Sequence, residues 1–200
     1  MELIVATKNK KKLEEIKELL KGLKFKISSL ADYPNSPRII ENGKTFRDNA
    51  IKKAVKIAKF SGKLTLGEDS GLCVDALGGK PGVYSSRFAG KGKSDQQNNL
   101  KLLKLLEDKP LNKRKAHYVC AVALADKYGL VGVTEGTCNG LIGFEFKGHF
   151  GFGYDPLFVI PKYKKTFAQL GGGVKHKMSH RFRALKKAKV ILSTYLKENL

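Results

Sequence analysis

The run Gly67-Glu68-Asp69-Ser70-Gly71-Leu72 places two adjacent carboxylates and a hydroxyl directly after an apolar segment, Leu64-Thr65-Leu66. Carboxylates at the end of a strand suit Mg²⁺, which takes oxygen ligands and substrate phosphates, while one of them orients or deprotonates an attacking water. The same residue types also build a tight turn. This segment alone therefore leaves two readings open, a hydrolytic metal site and an acidic turn between strands.

Thr7-Lys8-Asn9-Lys10-Lys11-Lys12 lies between an expected first strand and first helix. A helix N-terminus presents free N–H groups and the positive end of the dipole, which together bind phosphate. Thr7 and Asn9 add donors there, and the lysines add charge. An N-cap followed by a solvated lysine face is the competing reading. Glu41 precedes the second helix and could approach Asp69 as a further metal ligand, or simply be an exposed loop acid. In Gly151-Phe152-Gly153-Tyr154-Asp155-Pro156 an aromatic between glycines can offer an open face to a base, worth ~1–3 kcal/mol. Asp155 would then accept from ring N–H donors; a Gly-Pro turn around one buried aromatic fits equally well.

Lys175-His176-Lys177-Met178-Ser179-His180-Arg181 gathers several donors at the start of the final helix. His176 and His180 have the spacing of a zinc pair, but a helix capped by Ser179 leaves His176 outside it and no Glu intervenes, so zinc is excluded. Gly92-Lys93-Ser94 resembles the tail of a phosphate-binding loop, but Arg87 stands where that loop requires glycine, and helix capping is the better reading.

The elements that must position these residues follow from periodicity. Glu2 to Ala6 reads as a strand, and Leu13, Ile16, Leu19, Leu20 and Leu23 predict a helix from about Asn9 to Lys21. Thr45-Phe46-Arg47-Asp48 has the form of a capping box, opening a helix to about Phe60. Ser94 with Gln97 opens another, ending near Asp108-Lys109-Pro110. From Ala116 to about Phe146 the pattern is β, with a turn at Asp126, and Leu157 to Ile160 is a further short strand. Ser179 caps a last helix with an apolar stripe, while glycine-rich loops are expected at 78–82, 90–92, 151–153 and 171–173. The fold class is mixed α/β.

At 200 residues the chain suits one domain, or at most two small lobes around a cleft. No stretch approaches the ~20 apolar residues that cross a bilayer, and the N-terminal residues lack a signal-peptide core, so no membrane partner is expected. Cys73, Cys120 and Cys138 share no Cys-x-x-Cys spacing and read as reduced thiols of a cytoplasmic protein. The 39 Lys and Arg against 18 Asp and Glu leave a net charge of +21, a field that attracts polyanions, whether nucleic acid or nucleoside triphosphate. The lysines are spread along the whole chain without interleaved aromatics, so specific nucleic-acid binding is not expected.

Taken together these segments resemble the noncanonical purine nucleoside triphosphate pyrophosphatases, the inosine triphosphatase (XTP/dITP diphosphatase) family. The likeness runs from Leu3 to about Lys189. It is carried by Thr7-x-Asn9-x-x-Lys12, Glu41-x-Gly43-x-Thr45-Phe46-x-x-Asn49-Ala50, Glu68-Asp69-Ser70-Gly71-Leu72, Ala76-Leu77-Gly78-Gly79-x-Pro81-Gly82-x-Tyr84, Phe152-Gly153-Tyr154-Asp155-Pro156 and Ser179-His180-Arg181. The resemblance implies an elongated α/β fold, a mixed sheet in two lobes with flanking helices and a central cleft, spanning residues 1–200 as one domain. It also implies a homodimer and Mg²⁺-dependent hydrolysis of ITP, dITP and XTP to the monophosphate and pyrophosphate. Carried onto this sequence, Thr7, Lys8, Asn9, Lys10, Lys11, Lys12 and Lys53 hold the triphosphate. Glu41, Asp69 and Glu68 serve the metal, with Asp69 also the proton acceptor for water. Ser70 contacts substrate, and Phe152, Gly153, Tyr154, Asp155, Lys175, His180 and Arg181 enclose the base. Lys8 stands where many relatives have glycine, and Asp48 where glutamate is commoner; neither change removes a residue assigned to the chemistry. A pyrophosphatase acting on other nucleotides and a basic nucleic-acid-binding protein are the alternatives.

Overall fold

The computed structural model describes residues 1–199. Among them are β1 (Glu2–Val5), α1 (Lys10–Leu19), β2 (Lys26–Ser29), α2 (Phe46–Ser61), β3 (Leu64–Val74) and α3 (Asp95–Leu105). The chain continues through β4 (Lys115–Asp126), β5 (Gly129–Ile142), β6 (Phe158–Ile160), β7 (Lys165–Thr166), α4 (Phe167–Met178) and α5 (His180–Glu198). The strands form one mixed sheet in the order β2-β1-β3-β4-β5-β6-β7, parallel where β1 meets β2 and β3, antiparallel where β6 meets β5 and β7. By internal contacts the chain falls into two units: Met1–Asp69, Cys120–Gly136 and the residues from Arg181 onward, and then Ser70–Val119 with Thr137–His180. No helix among the described residues is long and apolar enough to cross a membrane.

The first unit buries both faces of its strands, and its sequence shows why. Leu3, Val5, Leu64, Leu66, Cys120, Val122 and Leu124 alternate onto one face, against Ile16 of α1, the Leu20 that caps it, and Ala184, Leu185, Ala188 and Leu192 of α5. The intervening Ala121, Ala123 and Ala125 face Ala50, Ala54 and Ala58 of α2. Alanine on alanine lets helix and sheet approach closely. The approach is tightest at Gly67, where an added Cβ would lie 2.2 Å from Ala50 O and 2.6 Å from Ala54 N. Such contacts cannot be relieved by rotating a side chain, so glycine is what allows α2 to cross β3 directly beside the acidic pair.

The capping boxes at Thr45 and Ser94 are both formed, Asp48 serving the first and Gln97 the second. Three expectations are corrected. Glu68-Asp69-Ser70 is neither strand end nor turn, but the middle of the eleven-residue β3, whose backbone is paired on through Val74. Glycines 171–173 are not a loop; they lie in α4, which opens on a capping box between Thr166 and Gln169 and is kinked at Gly171, φ 71°. α3 also stops at Leu105, short of the expected Asp108.

In the second unit Leu72, Val74, Leu102, Leu106, Tyr154, Phe158 and Phe167 form one core. Arg114, 1 % exposed, donates to Leu106 O (2.7 Å), Ile142 O (2.8 Å) and Gly143 O (2.8 Å), tying the end of α3 to β5. Charge-assisted bonds to several carbonyls keep such a buried guanidinium satisfied.

At the start of β1, Glu2 accepts from Lys63, Ser28 and Tyr33. These donors, Lys63 foremost, hold the carboxyl down at about 2. A depressed carboxyl contributes stability above its unfolded value of 4.5 and loses that contribution as pH falls toward about 2. Glu2→Gln should therefore lower the denaturation midpoint modestly at pH 7, the pair being part-exposed and screened, and the two proteins should converge near pH 2. A difference between them that does not shrink with acid would show that the carboxylate is not what matters there.

Candidate active site

The β1–α1 junction begins with a cap. Asn9 Oδ1 accepts from Lys12 N at 3.1 Å, and Thr7 Oγ1 accepts from Asn9 N at 3.1 Å, so both side chains order the turn that opens α1. No acidic residue occupies the first turn of that helix, leaving its positive end uncompensated. Lys8, Lys10 and Lys11 project into solvent. Lys12 alone turns inward, its Nζ 2.8 Å from Glu68 Oε2.

The acidic pair is then built between β3 and α2. Asn49 and Lys53, one helical turn apart on the face that packs over Gly67, both reach Asp69: Asn49 Nδ2 to Oδ2 at 3.0 Å and Lys53 Nζ to Oδ1 at 3.2 Å. The Lys53 ammonium also lies 3.0 Å from Glu68 O and 3.0 Å from Glu41 Oε2. Glu68 is bound on both oxygens, by Lys12 on one, and by Arg181 Nη2 (3.0 Å) and Cys120 Sγ (3.3 Å) on the other. Arg181 Nη1 pairs with Glu15 of α1. Four carboxylates thus face three cations in this cluster, and all but Glu41 and Lys12 are nearly sealed from solvent.

This environment perturbs the groups in opposite directions. Burial raises the Asp69 carboxyl above its ordinary value, against the pull of Lys53 and Lys12. Burial would lower Lys53, but Asp69, Glu41 and Glu68 outweigh it and the ammonium is held more firmly than an ordinary lysine. Arg181 is likewise raised by Glu68 and Glu15 against its burial. A carboxylate whose affinity for protons is raised, set beside fixed cations, is suited to take a proton from water.

Hard oxygen donors are also what Mg²⁺ requires. Glu41 and Asp69 converge on one ammonium, so their oxygens already face a common cation, whereas both Glu68 oxygens are committed. Among the described residues no three His, Cys, Asp or Glu side chains converge as a closed metal cage. The converging Glu41 and Asp69 fit a metal held by one or two carboxylates and completed by substrate phosphates.

In the second unit the 151–156 segment is a tight turn around Asp155. Asp155 Oδ2 accepts from Phe152 N at 2.9 Å and from Lys175 Nζ at 2.7 Å, both acid and lysine being 1 % exposed. Gly151, φ 86°, has no room for a Cβ, which would fall 2.1 Å from that carboxylate oxygen. Tyr154 is buried with its hydroxyl donating to Ser85 O at 2.8 Å, so its ring offers no open face. Phe152 is half-exposed, with the Lys175 ammonium 4.8 Å from its ring centroid. His180 stacks on Tyr118 at 4.5 Å, and Ser70 is half-buried in β3.

The structure thus groups Lys12, Glu41, Lys53, Glu68, Asp69 and Arg181 in one unit, and Phe152, Gly153, Asp155 and Lys175 in the other. Sequence reasoning assigned no role to Asn49 or Glu15. Glu15 could have been suspected, since it sits beside Ile16 on the apolar stripe of α1, where an exposed acid is not expected.

Comparison with known proteins completes the description. A profile described as the Ham1 family matches residues 3–191. A dITP/XTP pyrophosphatase of Desulforamulus reducens is 51 % identical over 193 residues, covering 96 % of each chain. One of Exiguobacterium sibiricum is 48 % identical over 198 residues, covering 99 % of this chain and all of its own. Among solved structures, a HAM1 protein from Coxiella burnetii superposes with a TM-score of 0.88 at 38 % identity, covering 97 % of this chain and 99 % of its own.

Proposed function

The chain belongs to the Ham1 family, and from that premise we propose that it hydrolyses noncanonical purine nucleoside triphosphates, ITP, dITP and XTP, to the monophosphate and pyrophosphate, clearing them from the cytoplasmic nucleotide pool as a homodimer. The observation that carries the reading is the buried Asp69, bonded by Lys53 and Asn49 and sharing the Lys53 ammonium with Glu41, in a chain whose near-full-length relatives are dITP/XTP pyrophosphatases.

In this mechanism the start of α1, Lys12 and Lys53 hold the triphosphate, and Asp69 orients a water and takes its proton as the water attacks the α-phosphorus. Glu41 and Asp69 would hold Mg²⁺, which would neutralise phosphate charge and polarise the P–O bonds. Lys53, which bridges the two carboxylates, has further N–H donors to offer phosphate. Glu68 stays in its clasp of Lys12 and Arg181, fixing the register of β3 beside it. Phe152, half-exposed, stacks on the base. Backbone N–H donors of the first turn of α5, at His180 and Arg181, read the 6-keto group, while the Arg181 guanidinium stays paired with Glu68 and Glu15.

The test is pyrophosphate release across a panel of nucleoside triphosphates. ITP, dITP and XTP should exceed ATP in kcat/KM by at least ~10²-fold, as a hydrogen-bonding site rejects an analogue with the opposite donor pattern. Chelation should stop the reaction and excess Mg²⁺ restore it. Release of orthophosphate instead, or equal turnover of ATP, would refute the assignment.

A further inference from the structure

The turn assigned to the base is gripped from outside itself. Gly153, at its centre with φ 63°, has both backbone polar groups bound by α3: its N–H donates to Asp95 Oδ2 at 2.8 Å, and its carbonyl accepts from Asn99 Nδ2 at 2.8 Å. Asp95 and Asn99 are four residues apart and so share one face of the helix. α3 is itself well anchored, since Leu102 and Leu106 lie in the core and Asn98 accepts from Ala89 N at 2.7 Å. Inside the turn, Phe152 N and Lys175 donate to Asp155, and the turn is held to its unit's core by the buried Tyr154, whose hydroxyl donates to Ser85 O, and by Asp155 O, which accepts from Ala168 N at 3.2 Å. Those holds act on Tyr154 and Asp155; the two bonds to Gly153 add a hold on the residue directly beside Phe152.

Asn99 also retains a penalty that packing alone would not. It is 2 % exposed, and its Oδ1 is buried without a hydrogen-bond partner. An unsatisfied buried amide oxygen is unfavourable, and an apolar side chain of similar size would remove it at the loss of a single bond, the one to Gly153 O. The Asp95 carboxylate lies close enough to Tyr154 that, after burial, it is the next cause raising that phenol.

We propose that Asp95 and Asn99 are positioning residues for base recognition, setting the height and tilt of the Phe152 ring by holding Gly153 on both sides. The inference rests on the reading of Phe152 as the stacking face for the base. Neither residue touches substrate; they act through the turn.

The experiment compares Asp95→Ala, Asp95→Asn and Asp95→Glu for dITP turnover, for inhibition by dIMP and by inorganic tripolyphosphate, and for thermal midpoint. Asp95→Asn keeps an oxygen in place to accept from Gly153, whereas Asp95→Glu keeps the charge at the helix start but moves the oxygen. The Ala and Glu variants should raise KM for dITP and Ki for dIMP roughly five- to tenfold, the worth of one such bond, with kcat changed less than twofold and tripolyphosphate inhibition unchanged. Asp95→Asn should stay near wild type. Wild-type behaviour of Asp95→Glu together with impaired Asp95→Asn would overturn the proposal, because the carboxylate would then serve only the helix dipole. Equal weakening of dIMP and tripolyphosphate would overturn it as well. Asn99→Leu should show the same split more strongly, and if it fails to fold the Asp95 series still decides. Phe152→Ala separates the layers: if it leaves dIMP inhibition intact, the stacking assignment falls and the positioning role with it. If Phe152→Ala weakens dIMP while the Asp95 series is flat, only the positioning role falls.

Discussion

Asp69→Asn is expected to lower dITP turnover by at least ~10²-fold, the lower range for loss of a positioned acid–base group, while the protein remains folded. The substitution preserves size in the middle of a paired strand, and Lys53 keeps Glu41 Oε2 and Glu68 O as partners. One local conflict is introduced, because Asn49 and Lys53 are both donors and an amide can offer an oxygen to only one of them. Against this, the change removes a carboxylate whose ionisation burial already opposes. The thermal midpoint should therefore move little in either direction. Steady-state kinetics and a melting curve on the same preparation check both halves: retained turnover would remove Asp69 from proton transfer, and lost turnover with a collapsed midpoint would make the effect structural.

Arg181→Met is expected to destabilise the protein by about 3–5 kcal/mol, the cost of stranding buried charge when one partner of an ion pair is removed. Arg181 is 1 % exposed, and its terminal nitrogens reach Glu15 and Glu68. Its removal takes a charged partner from both Glu15, 8 % exposed, and Glu68, and puts an apolar side chain in its place. Adding Glu15→Gln should recover part of the loss, because a buried carboxylate that has lost its guanidinium partner is then neutral. Urea denaturation of the two variants measures this coupling. A single variant as stable as wild type, but unable to distinguish ITP from ATP, would move Arg181 from the scaffold to the base.

The order of these effects reflects how the two clusters are assembled. Removing Asp69 removes a reactive group from a frame that Asn49, Lys53 and the packed α2 still hold. Removing Arg181 removes the frame itself. Its guanidinium links the first turn of α5 to α1 and β3, segments that meet only in the folded unit.

What the sequence determined by itself is local. A capping box needs residues three apart, so Thr45 with Asp48 and Ser94 with Gln97 announce α2 and α3 without reference to the rest of the chain. The near-continuous apolar run of β4 is likewise legible, as a strand buried on both faces must be apolar on both. The Thr166–Gln169 box is equally local, yet the sequence reading places only a glycine-rich loop at 171–173, where α4 continues. The ordered set of motifs from Thr7 to Arg181 indicated the family, since spacing along the chain is itself a sequence property. Only the tertiary structure decided what those residues do to one another. Whether Glu68-Asp69-Ser70 is a turn or mid-strand depends on pairing with neighbouring strands and on α2 crossing at Gly67, neither of which the six-residue run encodes. The partners of Arg181 lie 166 and 113 residues away, and Gly153 is bound by a side chain 54 residues distant. Charge and hydrogen-bonding capacity are written in each residue, but which capacity is spent on the protein and which is left for substrate is set by burial. Burial is a property of the packed chain and not of any segment of it.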